Sequence, residues 1–130
     1  MKEEFKIIII GSREFDNYQY FCKKCDRLLS DKKLTHNITI ITGNHGNTDK
    51  FAQCYAFSKN YNIIIEKADY EQHPKDAMYF RNKKIINEYK PNGCIAFNLN
   101  NSKGTKNMIN LCKIYNIQIR EIKLTNNKNK

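Results

Sequence analysis

The chain has 130 residues, 40% of them hydrophobic and 12% aromatic, and a formal net charge of +10 at neutral pH. This composition argues against an intrinsically disordered protein, and the length fits one domain with its own hydrophobic core. No apolar run approaches the roughly 20 residues that a membrane span needs, and the opening MKEEFKIIIIGS does not resemble a signal peptide. We therefore expect a cytoplasmic protein without a membrane partner.

The positive charge favours an anionic partner without identifying it. Only four of the basic residues are arginines, the lysines are scattered, and Asn and Ile are enriched as well, which is typical of a coding bias. Nucleic-acid binding stays open as an alternative. It is not favoured, because no segment combines aromatic and basic residues as single-strand binders do.

Short apolar runs that resemble buried strands alternate with helical patterns along the chain. The expected strands are 5–10, 37–42, 62–65, 94–97 and 117–122, and the expected helices are about 17–33, 49–59, 75–89 and 105–115. This alternation predicts the α/β class, as a single Rossmann-like, three-layer domain with a mainly parallel sheet of about five strands. The domain should span residues 1–124, with a disordered tail at 125–130.

In such sheets ligands bind beyond the carboxyl ends of the strands, so the segments that follow the strands are where chemistry is expected. Gly11, Ser12 and Arg13 follow the first strand. Glycine permits a close backbone approach, serine can donate a hydrogen bond, and arginine can bind a phosphate through two parallel bonds. Because a Gly-Ser pair after a strand is common, this segment indicates a ligand contact only in combination with others.

The first predicted helix contains Cys22 and Cys25, spaced as in redox and zinc motifs. The pair lies within a helix, and no second Cys/His pair has a matching spacing. Five cysteines without a secretory signal indicate reduced thiols. We therefore expect ordinary helix-face cysteines and no metal site.

The segment after the second strand, TGNHGNTDK, is polar and leads into a helix. Gly43 and Gly46 lie where unpaired N–H groups and the helix dipole attract anions. Asp49 either occupies the helix start because acids are favoured there, or accepts hydrogen bonds from ribose hydroxyls. His45 could act as a base, although a single loop histidine is usually just exposed.

The third predicted helix places Arg81 on one face with Ala77 and Ile85, at four-residue spacing. An arginine on a mainly apolar face is costly unless it meets an anion. That anion could be a carboxylate of the chain, from Asp49 or Asp69, or it could be a ligand phosphate.

The segment Asn101-Ser102-Lys103-Gly104-Thr105 joins the fourth strand to the last helix. Ser102 or Thr105 could simply cap that helix. The segment is not a Walker motif, because GxxxxGK[ST] is absent. Its position favours a phosphate contact, since it is the fourth strand-end segment on the same edge that carries glycine, hydroxyl or arginine.

These segments, in this order, resemble the SLOG superfamily, a Rossmann-like group that includes the Lonely Guy phosphoribohydrolases and the DNA-processing protein DprA. The resemblance is strongest to the small YspA-like branch and covers about residues 6–119. It is carried by IIIIGSREF, TGNHGNTDKFAQCYA, ADYEQHPKDAMYFRN and PNGCIAFNLNNSKGTKNMI. It implies a nucleotide-like ligand, such as a derivative of NAD or ADP-ribose, and related proteins often form homodimers. We expect no further cofactor.

Taken with the residues themselves, the resemblance assigns ligand contacts to four segments. They are Gly11, Ser12 and Arg13; Gly43, Asn44 and Asp49; Arg81 and Asn82; and Ser102, Lys103, Gly104 and Thr105. Asn44 and Asn47 stand where the family usually has glycine. Met78 stands where it often has Gly or Ala, which could narrow the pocket.

Lonely Guy enzymes pair an arginine with a glutamate just after the Gly-Thr, and the glutamate assists cleavage of the N-glycosidic bond. Arg81 matches the arginine, but the corresponding region here is Lys106-Asn107-Met108, which has no carboxylate to exchange protons. We therefore expect no catalytic residue and favour a sensor or sequestering protein over an enzyme. The alternatives are a phosphoribohydrolase in which Asp49 or Asp69 substitutes, and DprA-like nucleic-acid binding.

Overall fold

A computed structural model describes residues 2–125 of the chain. The elements in chain order are β1 (Glu3–Gly11), α1 (Tyr18–Leu29), α2 (Lys32–Thr35), β2 (His36–Thr42), α3 (Asn47–Lys59), β3 (Asn62–Ile65), α4 (Ala77–Lys84), β4 (Gly93–Leu99), α5 (Lys103–Ile114) and β5 (Gln118–Leu124). Between α4 and β4, the chain passes through a π-helical segment, Ile85–Tyr89.

The five strands form one sheet in the order β3-β2-β1-β4-β5, and every neighbouring pair is parallel. The chain leaves β1 toward β2 and β3 on one side, and leaves β4 toward β5 on the other. β1 and β4 therefore flank a topological switch point, where the connecting loops diverge and leave a crevice beyond the carboxyl ends. This order confirms the predicted α/β class and the sheet of five strands.

Helices cover both faces of the sheet, as the nearly continuous apolar strands require. Successive side chains of a strand point to opposite faces, so Ile7 and Ile9 pack with α1 and α3, and Ile8 and Ile10 pack with the π-helical segment and α5. Each fully buried isoleucine contributes roughly 1.5–3 kcal/mol to folding. β1 is thereby held firmly in the centre of the sheet, and its carboxyl end is fixed at the switch point.

Two predicted helices differ from the structure. The helix expected at 17–33 ends at Leu29, because Ser30 and Asp31 form a turn in which the Ser30 hydroxyl donates to the Arg27 carbonyl. The helix expected at 75–89 begins only at Ala77, after a series of turns. Its last part is π-helical, a wider turn that lets Ile85 and Ile86, adjacent in sequence, both enter the core.

Two boundaries near the end of the chain also differ from expectation. The last helix begins at Lys103 rather than at residue 105, because Ser102 occupies the N-cap position. The last strand runs to Leu124 rather than to residue 122, because it stays paired with β4 up to Leu99.

Within residues 2–125, no helix is long and apolar enough to cross a membrane. The same residues contain no cluster of three or more His, Cys, Asp or Glu side chains that could hold a metal ion. On α1, Cys25 is buried in the core and Cys22 is half-buried. Of the tail predicted at 125–130, residues 126–130 lie outside the described part of the chain.

Candidate functional site at the switch point

The loops that follow β1, β2, β3 and β4 border one cavity of about 510 Å³, here called the switch-point cavity. Eight of the residues predicted from the sequence line it: Gly11, Arg13, Asp49, Arg81, Ser102, Lys103, Gly104 and Thr105. Its volume lies within the roughly 300–1,000 Å³ that is usual for small-molecule sites. The fold thus brings together segments that are far apart in sequence, at the position where open parallel sheets bind their ligands.

Arg81 is only 5% exposed although its side chain is charged. Its Nε donates to Asn82 Oδ1 at 2.9 Å, and its Nη2 lies 3.0 Å from Met78 Sδ. Its Nη1 is buried and has no hydrogen-bond partner among the described residues. An unsatisfied buried donor costs about 1–3 kcal/mol. The guanidinium is therefore oriented by two neighbours, while Nη1 packs against Gly43 and lacks an acceptor among residues 2–125.

Neither carboxylate expected as a partner forms an ion pair with Arg81 within residues 2–125. Asp69 is exposed and accepts a hydrogen bond within its own turn. Asp49 is buried near Arg81, but its oxygens accept from the Thr42 hydroxyl at 3.2 Å and from the His45 backbone N–H at 3.0 Å. Burial raises the pKa of Asp49 to about 6, although Arg81 and these two hydrogen bonds act to lower it.

Two glycines let the loop after β2 approach Arg81 and Arg13 closely. A Cβ at Gly43 would lie 1.7 Å from Arg81 Nη1 and 2.8 Å from Asp49 Oδ2. Gly46 has a φ of +96°, which strains any other residue, and a Cβ there would lie 2.5 Å from the Arg13 Cα. Any side chain at either position would push the loop away from the two arginines.

The start of α5 forms the opposite wall of the cavity. Ser102 caps the helix, since its hydroxyl oxygen accepts from the Thr105 N–H at 3.4 Å. The capping role considered for Ser102 is therefore present. Capping by Ser102 is compatible with an anion bound at the start of α5. The first N–H groups of a helix lack intrahelical acceptors, and the helix dipole favours negative charge at this end. Lys103 adds an exposed cation at the same place.

Four predicted site residues do not line the cavity. The Ser12 hydroxyl donates to the Leu99 carbonyl at 2.9 Å and accepts from the Leu99 N–H at 2.7 Å, joining the loop after β1 to β4. Asn82 is fully buried and donates to a side chain of α5. Gly43 lies against Arg81, and Asn44 is exposed. Their assignment as direct ligand contacts stays a prediction.

Four further residues border the cavity: Ile10, His45, Tyr70 and Met78. Met78 was expected near the pocket, and it packs toward Gly104, where a Cβ would lie 3.3 Å from its Cγ. Tyr70 was not expected in the site. A signal was present, because Tyr70 is an aromatic residue in the polar segment after β3, on the edge where the other loops converge.

No family model matches the chain, and no curated protein is similar to it at a significant level. A search of solved structures gives distant similarities. A predicted subunit of tRNA methyltransferase from Methanocaldococcus jannaschii is 16% identical, with 90% of this chain and 67% of that chain covered and a TM-score of 0.42. The HAD domain of effector protein Lem4 from Legionella pneumophila is 14% identical, with 98% and 90% covered and a TM-score of 0.44. A mutant of ferredoxin-NADP+ reductase from Plasmodium falciparum is 15% identical, with 94% and 52% covered and a TM-score of 0.38.

These similarities are too distant to carry an argument about function. The Rossmann-like α/β fold is established by the strand order and the helix layers of the chain itself.

Proposed function

We propose that the chain binds a nucleotide-derived small molecule in the switch-point cavity and acts as a sensor or sequestering protein. The ligand class is an ADP-ribose- or NAD-like compound or a nucleoside phosphate. One observation carries the proposal: Arg81 is buried at this cavity, and its Nη1 has no acceptor in the described part of the chain. A phosphate oxygen would supply the missing acceptor and balance the buried charge.

The charges around the cavity support an anionic ligand. Arg13, Arg81 and Lys103 line it, and Asp49 is the carboxylate that faces them. The start of α5 adds N–H groups that favour phosphate. Asp49 supplies acceptor oxygens of the kind that ribose hydroxyls require. A nucleotide presents both groups, a phosphate for the cations and a ribose for the carboxylate.

The resemblance to the SLOG superfamily and its YspA-like branch supports the same proposal. The motifs that carry it contain the cavity residues Gly11, Arg13, Asp49, Arg81 and Gly104. Membership in that branch is part of the proposal, and so is a homodimer, which related proteins often form.

A thermal-shift panel tests the proposed function. ADP-ribose, NAD and AMP are compared with adenosine and ribose, which carry no phosphate. A ligand that binds only the folded state at one hundred times its Kd stabilises by about 2.7 kcal/mol. We expect at least one phosphorylated compound to raise the Tm and both uncharged controls to leave it unchanged. No shift with any phosphorylated compound at millimolar concentration would contradict the proposal.

A phosphoribohydrolase is the second candidate, because Asp49 lies in the cavity with Arg81 and its pKa of about 6 permits proton exchange near neutral pH. The positions after Thr105 do not offer such a group, since Asn107 is an amide bonded to Asn82 and Met108 is buried. In this reaction water adds to the ribose C1′ while the bond to the base breaks, and the base leaves with a proton.

Incubation with AMP, followed by detection of free adenine, separates the two candidates. A binding protein releases no adenine. Release that disappears in Asp49→Asn would identify an enzyme and assign the proton transfer to this carboxyl.

A further inference from the structure

Two aromatic rings lie at the switch-point cavity beside the buried guanidinium. Tyr70 and His45 both line the cavity, with ring centroids 6.0 Å apart and planes inclined by 38°. Tyr70 is 47% exposed, so a large part of its ring is accessible to a ligand. Burial lowers the pKa of the neighbouring Arg81 guanidinium, and the Asp49 carboxylate acts in the opposite direction.

The segment that carries Tyr70 is held in place, although it has no regular secondary structure. The Asp69 side chain accepts from the Gln72 backbone N–H at 3.1 Å. The Asp69 backbone carbonyl accepts from the His73 N–H at 3.0 Å. The His73 ring stacks on Phe80 of α4, with centroids 4.1 Å apart. The turn that contains Tyr70 is thus held against the helix of Arg81 through His73.

We propose that Tyr70, with His45 beside it, is the surface on which the aromatic base of the ligand stacks while Arg81 holds the phosphate. This inference rests on the proposed function and narrows it: the ligand is a nucleoside phosphate or a dinucleotide, and a sugar phosphate without a base binds more weakly. Every base presents a flat π-face, and aromatic side chains near a phosphate site bind bases by stacking.

The electrostatics of the pair fit this role. Burial lowers the pKa of His45, and Arg13 and Arg81 lower it further, so its ring is neutral at neutral pH. The rings therefore add uncharged contact area to a cavity whose positive charges come from Arg13, Arg81 and Lys103. A nucleotide offers a flat base to the rings and a charged phosphate to the cations, with the ribose between them.

The experiment compares AMP with ribose 5-phosphate, which lacks the base, by calorimetry on the wild type, Tyr70→Ala and Tyr70→Phe. Stacking on one aromatic side chain accounts for roughly five- to hundredfold in affinity. We expect the wild type to bind AMP at least about tenfold more tightly than ribose 5-phosphate. Tyr70→Ala should remove most of this preference for AMP without changing the affinity for ribose 5-phosphate. Tyr70→Phe should retain the preference for AMP.

Three results would overturn the inference. The first is equal affinity of the wild type for AMP and ribose 5-phosphate. The second is a Tyr70→Ala variant that still prefers AMP as strongly as the wild type does. The third is an equal loss of affinity for both compounds in Tyr70→Ala, which would mean that Tyr70 only positions Arg81. In all three cases ribose 5-phosphate or AMP still binds, and the proposed function stands. If the wild type binds neither compound, and no phosphorylated compound shifts the Tm, the proposed function fails and the inference fails with it.

Discussion

The Asp49 carboxyl and the Arg81 guanidinium are both buried at the switch-point cavity, and burial disfavours the charged form of each. It raises the pKa of Asp49 to about 6 and lowers the pKa of Arg81. Neither group is paired as an ion within residues 2–125. Each group acts against this effect on the other, because Arg81 lowers the pKa of Asp49 and Asp49 raises that of Arg81. At the scale of single residues, a buried pair of titratable groups with shifted pKa values beside a cavity is a candidate for a functional role.

The raised pKa of Asp49 predicts a pH-dependent cost in stability. An aspartate in an unfolded chain ionises near pH 4, whereas folded Asp49 ionises near pH 6. Below both values the carboxyl is protonated in both states and the shift has no effect. As pH rises from about 4 to 6 the unfolded state loses its proton first, so wild-type stability falls relative to that of Asp49→Asn, by on the order of 2 kcal/mol.

Urea unfolding at a series of pH values checks this prediction. All other carboxylates are present in both proteins, so the difference in unfolding free energy between the wild type and Asp49→Asn reports the titration of Asp49 alone. The side-chain amide of the variant can still accept from the His45 N–H and donate to the Thr42 hydroxyl, so the variant should fold. A constant difference from pH 4 to 7 would show that Asp49 titrates normally.

At the scale of elements, Asn82 links the helix of Arg81 to α5, whose start lines the switch-point cavity. Its Oδ1 accepts from Arg81 Nε at 2.9 Å, and its Nδ2 donates to Asn107 Oδ1 at 2.9 Å and to the Gly104 carbonyl at 3.4 Å. Asn82 is fully buried and its bond to Arg81 is buried, whereas its two bonds to α5 are partly buried. This amide therefore helps to hold the two helices together, beside the packing of Met78 against Gly104.

Asn82→Ala should destabilise the protein by about 1–3 kcal/mol, because it leaves Arg81 Nε and the Asn107 amide without their partners. Asn107→Ala is the matched comparison. It removes one of the same bonds but leaves Asn82 bonded to Arg81 and Gly104, so a smaller loss is expected. Equal losses, measured from urea midpoints at unchanged m value, would show that Asn82 does not bridge the helices.

At the scale of the whole molecule, the sequence predicted the fold class well because its determinants are local. The apolar run at 7–10 and the glycines after the strands indicate buried parallel strands and the edge where they end. The role of Ser12 could not be predicted in this way. Its bonds to Leu99 depend on β1 lying beside β4, a pairing that the sequence pattern does not specify.

Tyr70 was missed for a similar reason. Its segment, 66–76, has no hydrophobic periodicity, and its position depends on the turn at Asp69 and on the packing of His73 against Phe80. The predicted cluster of Gly11, Arg81 and Ser102–Thr105 required less information. Parallel strands bring their carboxyl ends to one edge, so the segments that follow them lie on the same edge of the sheet, and the strand order then decides which of them meet at the switch point.

The most direct measurement of the central claim compares AMP affinity and ligand-free stability in the wild type, Arg81→Ala and Lys84→Ala. Lys84 is an exposed cation on the same helix, paired with Glu66 outside the cavity lining, so its variant controls for the loss of one charge.

We expect Arg81→Ala to weaken AMP binding by roughly ten- to more than a hundredfold, the loss of a charge-assisted contact. Its ligand-free unfolding free energy should fall by no more than about 1–3 kcal/mol, the cost of leaving Asn82 Oδ1 without its donor, because Arg81 forms no ion pair within residues 2–125 and its burial is itself costly. Lys84→Ala should bind AMP like the wild type. Unchanged AMP affinity in Arg81→Ala, or a large loss of ligand-free stability, would contradict the claim that Arg81 is held for a ligand phosphate.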